Sequence, residues 1–270
     1  MIDLSSVRVP TGNVTVVVIA LFISIGLPFL LMLFWRKKTG SKIYPFFIGM
    51  GVFLIFAMLL ESILHIFVLE ATGTLFSENY FLYALYGGLT AGIFEETGRF
   101  VAMKFFMKKA LGKEESIMYG LGHGGFESII TLGMTEISNL IIIMTINLGF
   151  GQTLISSLSE TDAAMVIEQV RPLWEASPSL FVMGIVERIL AMALHVGLSY
   201  IVYRAVKNGK VYLYIAAMLI HAFVDSVTAW LSKSGVRTAV VETVLLVMIL
   251  VIYFFVIKIY RAEKSEAEAA

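Results

Sequence analysis

Seven long apolar runs limit what this chain can fold into. They lie at roughly 14–35, 44–69, 80–107, 116–149, 179–204, 210–231 and 238–260. A helix that crosses the hydrocarbon core of a bilayer needs about 20 mostly apolar residues. No water is present there to bond free N–H and C=O groups, so the runs are expected as helices in an all-α, polytopic membrane bundle. Composition agrees: 59% of the 270 residues are hydrophobic and 15% are charged. A soluble domain has roughly 45–50% and about 25%. Disorder is excluded by the same numbers. The formal net charge is zero, so the basic excess that nucleic-acid binding requires is missing. Without cysteine there is no disulfide, thiol nucleophile or thiolate metal site.

Lys and Arg near the ends of the runs set the expected orientation. Arg36, Lys37, Lys38 and Lys42 follow the first run, and Lys104, Lys108, Lys109 and Lys113 join the third to the fourth. Arg204, Lys207 and Lys210 join the fifth to the sixth, and Lys258, Arg261 and Lys264 follow the seventh. Loop 70–79 has no cation, and loop 150–178 is acidic apart from Arg171. Lys233 and Arg237 are the exception. The expectation is an outside N-terminus, a cytoplasmic C-terminus and one integral-membrane domain over 1–270, its motif core at about 80–231 and a solvated tail at 262–270. The first run is expected to be an uncleaved anchor. The fourth run is either one long helix or a broken one, since Gly124, Gly125, Gly133 and Asn139 interrupt it.

Charged and imidazole side chains inside these runs carry the functional signal. A charge at a helix centre costs about 2.5–3.5 kcal/mol on insertion scales, and such groups are usually paired and functional. Here they are Glu95, Glu96 and Arg99 in the third run, His123 and Glu127 in the fourth, Glu187, Arg188 and His195 in the fifth, and His221 and Asp225 in the sixth. At the helical rise, Glu95 lies about 13–14 Å from Lys104, His195 about 13–14 Å from Arg204, His123 about 15 Å from Lys113 and His221 about 16–17 Å from Lys210. Four runs therefore bring a carboxylate or an imidazole to nearly one level. Glu95 and Arg99, His123 and Glu127, and His221 and Asp225 are each four apart and share a helix face. Glu96 and Arg99 are three apart, so Arg99 reaches either carboxylate. Glu61 and His65 lie nearer the other end of the second run and are read as an interfacial or packing pair.

Glu95-Glu96-Thr97-Gly98-Arg99, E-E-x-x-R, is followed by a helix ending Ala191-Met192-Ala193-Leu194-His195 and then by His221-Ala222-Phe223-Val224-Asp225. In this order the motifs resemble the CAAX-protease and bacteriocin-processing (CPBP) superfamily of intramembrane proteases. Gly122-His123-Gly124-Gly125-Phe126-Glu127 and Glu187-Arg188 resemble its YhfC branch, bacterial membrane peptidases. Two positions depart from the superfamily pattern: Ala191 stands where Phe is usual, and Asp225 where Asn is usual.

The resemblance implies hydrolysis of a peptide bond in a polar cavity that opens toward the cytoplasm of a bacterial cell. The implied substrate is a peptide or a membrane protein, in the bilayer of the cytoplasmic membrane. In the preferred, glutamate-type reading no cofactor takes part. Glu95 or Glu96, restrained by Arg99, activates a water, and His195 orients it. His221 with Asp225 faces the tetrahedral oxygen. His123 with Glu127, and Glu187 with Arg188, support these groups. The alternative reading uses zinc, held by His123, His195, His221 and Glu96. The HExxH motif of single-helix zinc sites is absent, which set the order of preference. A non-catalytic scaffold and a proton-coupled carrier are the rivals from other classes, and no internal repeat supports the carrier. The sequence leaves the oligomeric state open.

Overall fold

The structure, a computed structural model, describes residues 3–269, and the side chains of all of these except residues 110 and 264–269. Every regular element among the described residues is helical. The long helices are α1 (Thr11–Thr39), α2 (Tyr44–Thr72), α3 (Tyr80–Val101), α4 (Lys113–Asn147), α5 (Glu160–Val170), α6 (Pro178–Asn208), α7 (Val211–Lys233) and α8 (Thr238–Ala269). Six of them, α1, α2, α4, α6, α7 and α8 up to Glu263, are long and apolar enough to cross a membrane. The seventh expected crossing, α3, has 22 residues, enough for a span, but carries Glu95, Glu96 and Arg99 in its second half. Composition alone therefore does not mark it.

The fourth run is one helix, relieved by a π-helical turn at Ile129–Gly133. The tail differs from the expectation. Helix α8 continues to Ala269, and Glu263 is buried, accepting from Tyr200 at 2.6 Å, Tyr203 at 2.8 Å and Lys207 at 2.7 Å. Four donors with Arg204 make burial of that carboxylate tolerable. The side chains from 264 on lie outside the described residues.

The chain forms two compact units, Met1–Leu27 with Ser128–Arg188, and Pro28–Glu127 with Ile189–Ala270. The first has an apolar core of Val9, Val17, Ile143, Ile146, Val170, Leu173 and Phe181. Buried Asn13 ties α1 to the chain before α6, donating to the carbonyls of Leu173 and Ala176 at 2.9 and 3.0 Å. The polar loop holds α5, whose first turn is capped by Ser159, accepting from the Asp162 amide.

The second unit holds the charged groups of the motifs. Its distribution is the reverse of a soluble protein: Phe223 and Phe254 are 61% and 64% exposed, while Glu96, Arg99 and His123 are fully buried. Lipid is as apolar as leucine, so such helices are held by close packing and by polar contacts. Small residues allow the close packing. A Cβ on Gly88 would lie 2.4 Å from the Ala222 carbonyl oxygen, and one on Gly92 would lie 2.6 Å from that of Met218. Those two glycines, one turn apart, bring α3 against α7. On α4, Gly120 meets the Cα of Val196 and Gly124 that of Met192, both on α6, and Gly122 meets Phe46 of α2.

A Cβ at Gly122 would lie 1.9 Å from the Phe46 carbonyl oxygen, which is backbone and cannot turn aside. Gly122→Ala is therefore expected to destabilise the protein by about 1–3 kcal/mol through overpacking. Gly51→Ala, at a position with nothing within 4 Å, should be neutral or slightly stabilising, because Ala is the better helix former. Melting of the two purified variants in detergent checks this. Equal melting would mean that the α2–α4 contact yields without cost.

Candidate active site

Four helices of the second unit deliver the site: α3 brings Glu95, Glu96 and Arg99, α4 brings His123 and Glu127, α6 brings His195, and α7 brings His221 and Asp225. Glu95, Glu96, Arg99, His123, His195 and His221 are buried, because uncompensated charge is not tolerated on the apolar faces of these helices.

Arg99 chooses Glu96. Its Nη1 donates to both oxygens of that carboxylate, at 2.7 and 2.9 Å, and both side chains are fully buried. Its Nη2 lies 2.9 Å from His195 Nδ1. A guanidinium only donates, so Nδ1 accepts, and the proton of a neutral His195 sits on Nε2. That nitrogen is 2.6 Å from Glu127 Oε2. Glu96 Oε1 also faces His221 Nδ1 at 2.9 Å. A carboxylate accepts, so Nδ1 of His221 donates to it and Nε2 faces Asp225 Oδ2 at 3.3 Å. Glu95 turns elsewhere: its Oε2 is 2.8 Å from His123 Nε2 and 3.9 Å from His195 Nδ1. The three imidazoles follow one another, with ring centroids 4.8 Å apart for His123 and His195 and 5.2 Å apart for His195 and His221.

The expected convergence of Glu95, Glu96, Arg99, His123, His195 and His221 is thus present, but several pairings differ. His123 and Glu127, expected to pair along α4, turn to different helices, His123 to Glu95 and Glu127 to His195. Glu187 and Arg188 belong to the first unit, where they lie 2.5 Å apart and Arg188 donates to Thr131 at 3.1 Å. Sequence reading missed Tyr119. Its spacing of four from His123 is the signal that could have found it, and its ring stacks on His123 at 5.9 Å.

Glu95, His195 and His221 each offer one ligand atom, and all three atoms lie within 4.8 Å of one another in a buried setting. Two ligands of one tetrahedral zinc are roughly 3.4 Å apart, so closure asks for movements of about 1 Å. The donor set, two imidazoles and one carboxylate, is that of catalytic zinc with a fourth position free. Carboxylates stand behind two of the ligands, Glu96 behind His221 and Glu127 behind His195, as outer partners of metal-bound histidines commonly do. The site holds four carboxylates, Glu95, Glu96, Glu127 and Asp225, and one guanidinium, Arg99, which pairs with Glu96, an excess of negative formal charge that a divalent cation would balance. Both nitrogens of His195 and both of His221 have a neighbour, so a metal would replace one contact at each, that of Arg99 or Glu127 at His195 and that of Glu96 or Asp225 at His221. The residues fit zinc: Glu95, His195 and His221 converge, while Glu96 of the expected set contacts Arg99 and His221 and His123 lies 2.8 Å from Glu95.

No solved structure matches the chain. A Bacillus subtilis (strain 168) protein described as "Uncharacterized membrane protein YhfC" is 33% identical over 239 residues, 87% of this chain and 92% of the relative. With six apolar helices of membrane-spanning length, the chain is an integral membrane protein. The family described as "YhfC intramembrane metalloprotease" matches residues 22–250, which include every residue of the site. On that match and that relative, the chain belongs to the YhfC intramembrane metalloprotease family.

Proposed function

We propose that this protein is a zinc-dependent intramembrane endopeptidase that cuts a peptide or a membrane-protein segment. The observation that carries the proposal is the buried group of Glu95, His195 and His221, whose ligand atoms lie within 4.8 Å of one another. The family is described as a metalloprotease family. That description reverses the order expected from the sequence, where a cofactor-free glutamate mechanism stood first. Bound zinc supplies Lewis acidity and a water acidified to a pKa of about 7.

The chain's own residues do the rest. Arg99 clamps Glu96, Glu96 holds His221 by Nδ1, and Glu127 faces His195, so the two imidazoles are oriented before substrate arrives. Asp225, with a side chain 39% exposed beside His221, is the carboxylate placed to take a proton from the attacking water and pass it to the leaving amine. The apolar helices keep bulk water from the reacting carbonyl, which strengthens each electrostatic contact. In the same reading α3 completes seven crossings, with the N-terminus outside and the C-terminus cytoplasmic, as the Lys and Arg clusters favour. The order of the E-E-x-x-R, His195 and His221 motifs supports a place in the CPBP superfamily.

Zinc titration of the purified full chain in nanodiscs tests the proposal, followed by cleavage of a fluorogenic peptide pool with and without chelator. One zinc per chain is expected, lost in His221→Ala, with cleavage abolished by chelation and restored by zinc. Cleavage that survives complete chelation would return the assignment to the glutamate type.

A further inference from the structure

We infer that His123 is a positioning residue that sets the orientation of Glu95. The inference rests on the zinc reading above and concerns a group that does not touch the metal in it.

His123 is fully buried on α4. Its Nε2 lies 2.8 Å from Glu95 Oε2. A carboxylate accepts, so Nε2 carries the proton and Nδ1 is left with a lone pair. Tyr119 OH lies 3.5 Å from Nδ1, a long contact that favours the same tautomer. The ring itself has little freedom. Phe53 meets it edge-on at 5.3 Å, Tyr119 stacks at 5.9 Å and His195 lies at 4.8 Å. The backbone beneath is held as firmly, since Gly122 packs on Phe46 with no room for a Cβ and Gly124 packs closely on Met192. Gly49 of α2 approaches the His123 amide in the same way.

A glutamate side chain has three torsions and up to about 2 kcal/mol of rotamer entropy to lose when it is fixed. Glu95 is a carboxylate on a helix whose other charged members are tied to each other. His123 removes that freedom in advance, leaving the carboxylate turned toward His195 and His221. Its proton points at Glu95 and its lone pair at Tyr119, so in this tautomer it has no lone pair to offer the metal that Glu95 faces. His195 and His221 belong to the converging ligand group, and His123 is not among its members. Outer partners of this kind typically change metal affinity by about 10–100-fold when removed.

The full chain in nanodiscs is titrated with zinc and with cobalt, whose visible absorption reports coordination geometry. His123→Phe keeps the ring volume without the N–H, His123→Gln keeps a donor, and Tyr119→Phe removes one hydroxyl. Zinc affinity is expected to fall about 10–100-fold in His123→Phe, with altered cobalt absorption and one metal still bound per chain. His123→Gln should regain part of the affinity, and Tyr119→Phe should lose a few-fold. Melting of the metal-free variants shows which are folded. If His123→Phe does not fold, the other two variants carry the comparison. Wild-type affinity and an unchanged cobalt spectrum in the folded variants would overturn the inference and leave the zinc reading standing. Complete loss of metal in both His123 variants would overturn it too, because His123 would then be a ligand. A wild-type chain that takes up no zinc would end the zinc reading, and this inference with it.

Discussion

Glu95→Gln is expected to remove zinc and peptide cleavage together, while the protein still folds. Gln has almost the shape of Glu, and its amide oxygen still accepts from His123, so the packing around His123 and Phe53 is kept. A neutral amide is a poor zinc ligand beside a carboxylate, and the remaining pair of imidazoles is too few for a stable catalytic site. The loss in rate should be on the order of 10²–10⁴ or more, the range for removing one essential group from an active site. Glu96→Gln should behave differently. It leaves Glu95, His195 and His221 as ligands but removes the charge that balances Arg99. Its main effect should be on stability, with zinc retained at reduced affinity in the protein that folds. The measurement is metal content and melting of both variants side by side. If Glu95→Gln keeps its zinc and Glu96→Gln loses it, the two carboxylates have the opposite roles.

Arg99 is the second large effect. Its guanidinium is fully buried, and two of its nitrogens contact Glu96 and His195. Arg99→Met leaves Glu96 as an uncompensated buried charge, which costs roughly 3–5 kcal/mol. Much of the folded population should be lost from the membrane fraction. Arg99→Lys keeps the charge, but one ammonium cannot span both Glu96 oxygens and His195 Nδ1 as a planar fork does. It should recover part of the stability and little of the activity. Removing both partners, in Arg99→Met with Glu96→Met, should restore stability toward wild type, because no unpaired charge remains. Activity should stay lost, since His221 Nδ1 then has no carboxylate to hold it. Denaturant melts of the four proteins in one detergent decide this. A double variant no more stable than Arg99→Met would show that the pair contributes through packing rather than charge.

Much of this arrangement was legible in the chain itself. Apolar run length sets the helices, because unbonded peptide groups are not tolerated in hydrocarbon. The level shared by Glu95, His123, His195 and His221 follows from counting residues from the flanking cations, and the structure brings these four together. The pairing of His221 with Asp225 follows from a spacing of four on one helix face. Glu61 with His65 is the same case, a pair 3.3 Å apart that His65 shares with Tyr86. Helical spacing could not choose between Glu95 and Glu96 as the partner of Arg99, because positions three and four away are equally near. Nor could it foresee that His123 and Glu127, one turn apart, would face different helices. Those choices depend on what approaches from α6 and α7. The approach is set by glycines such as Gly88, Gly92, Gly120 and Gly124, which permit contact between backbones without stating which helix will make it. Periodicity along one helix assigns a side chain to a face. Its partner is decided by the distance and rotation of the neighbouring helix, and these exist only once the helices have packed.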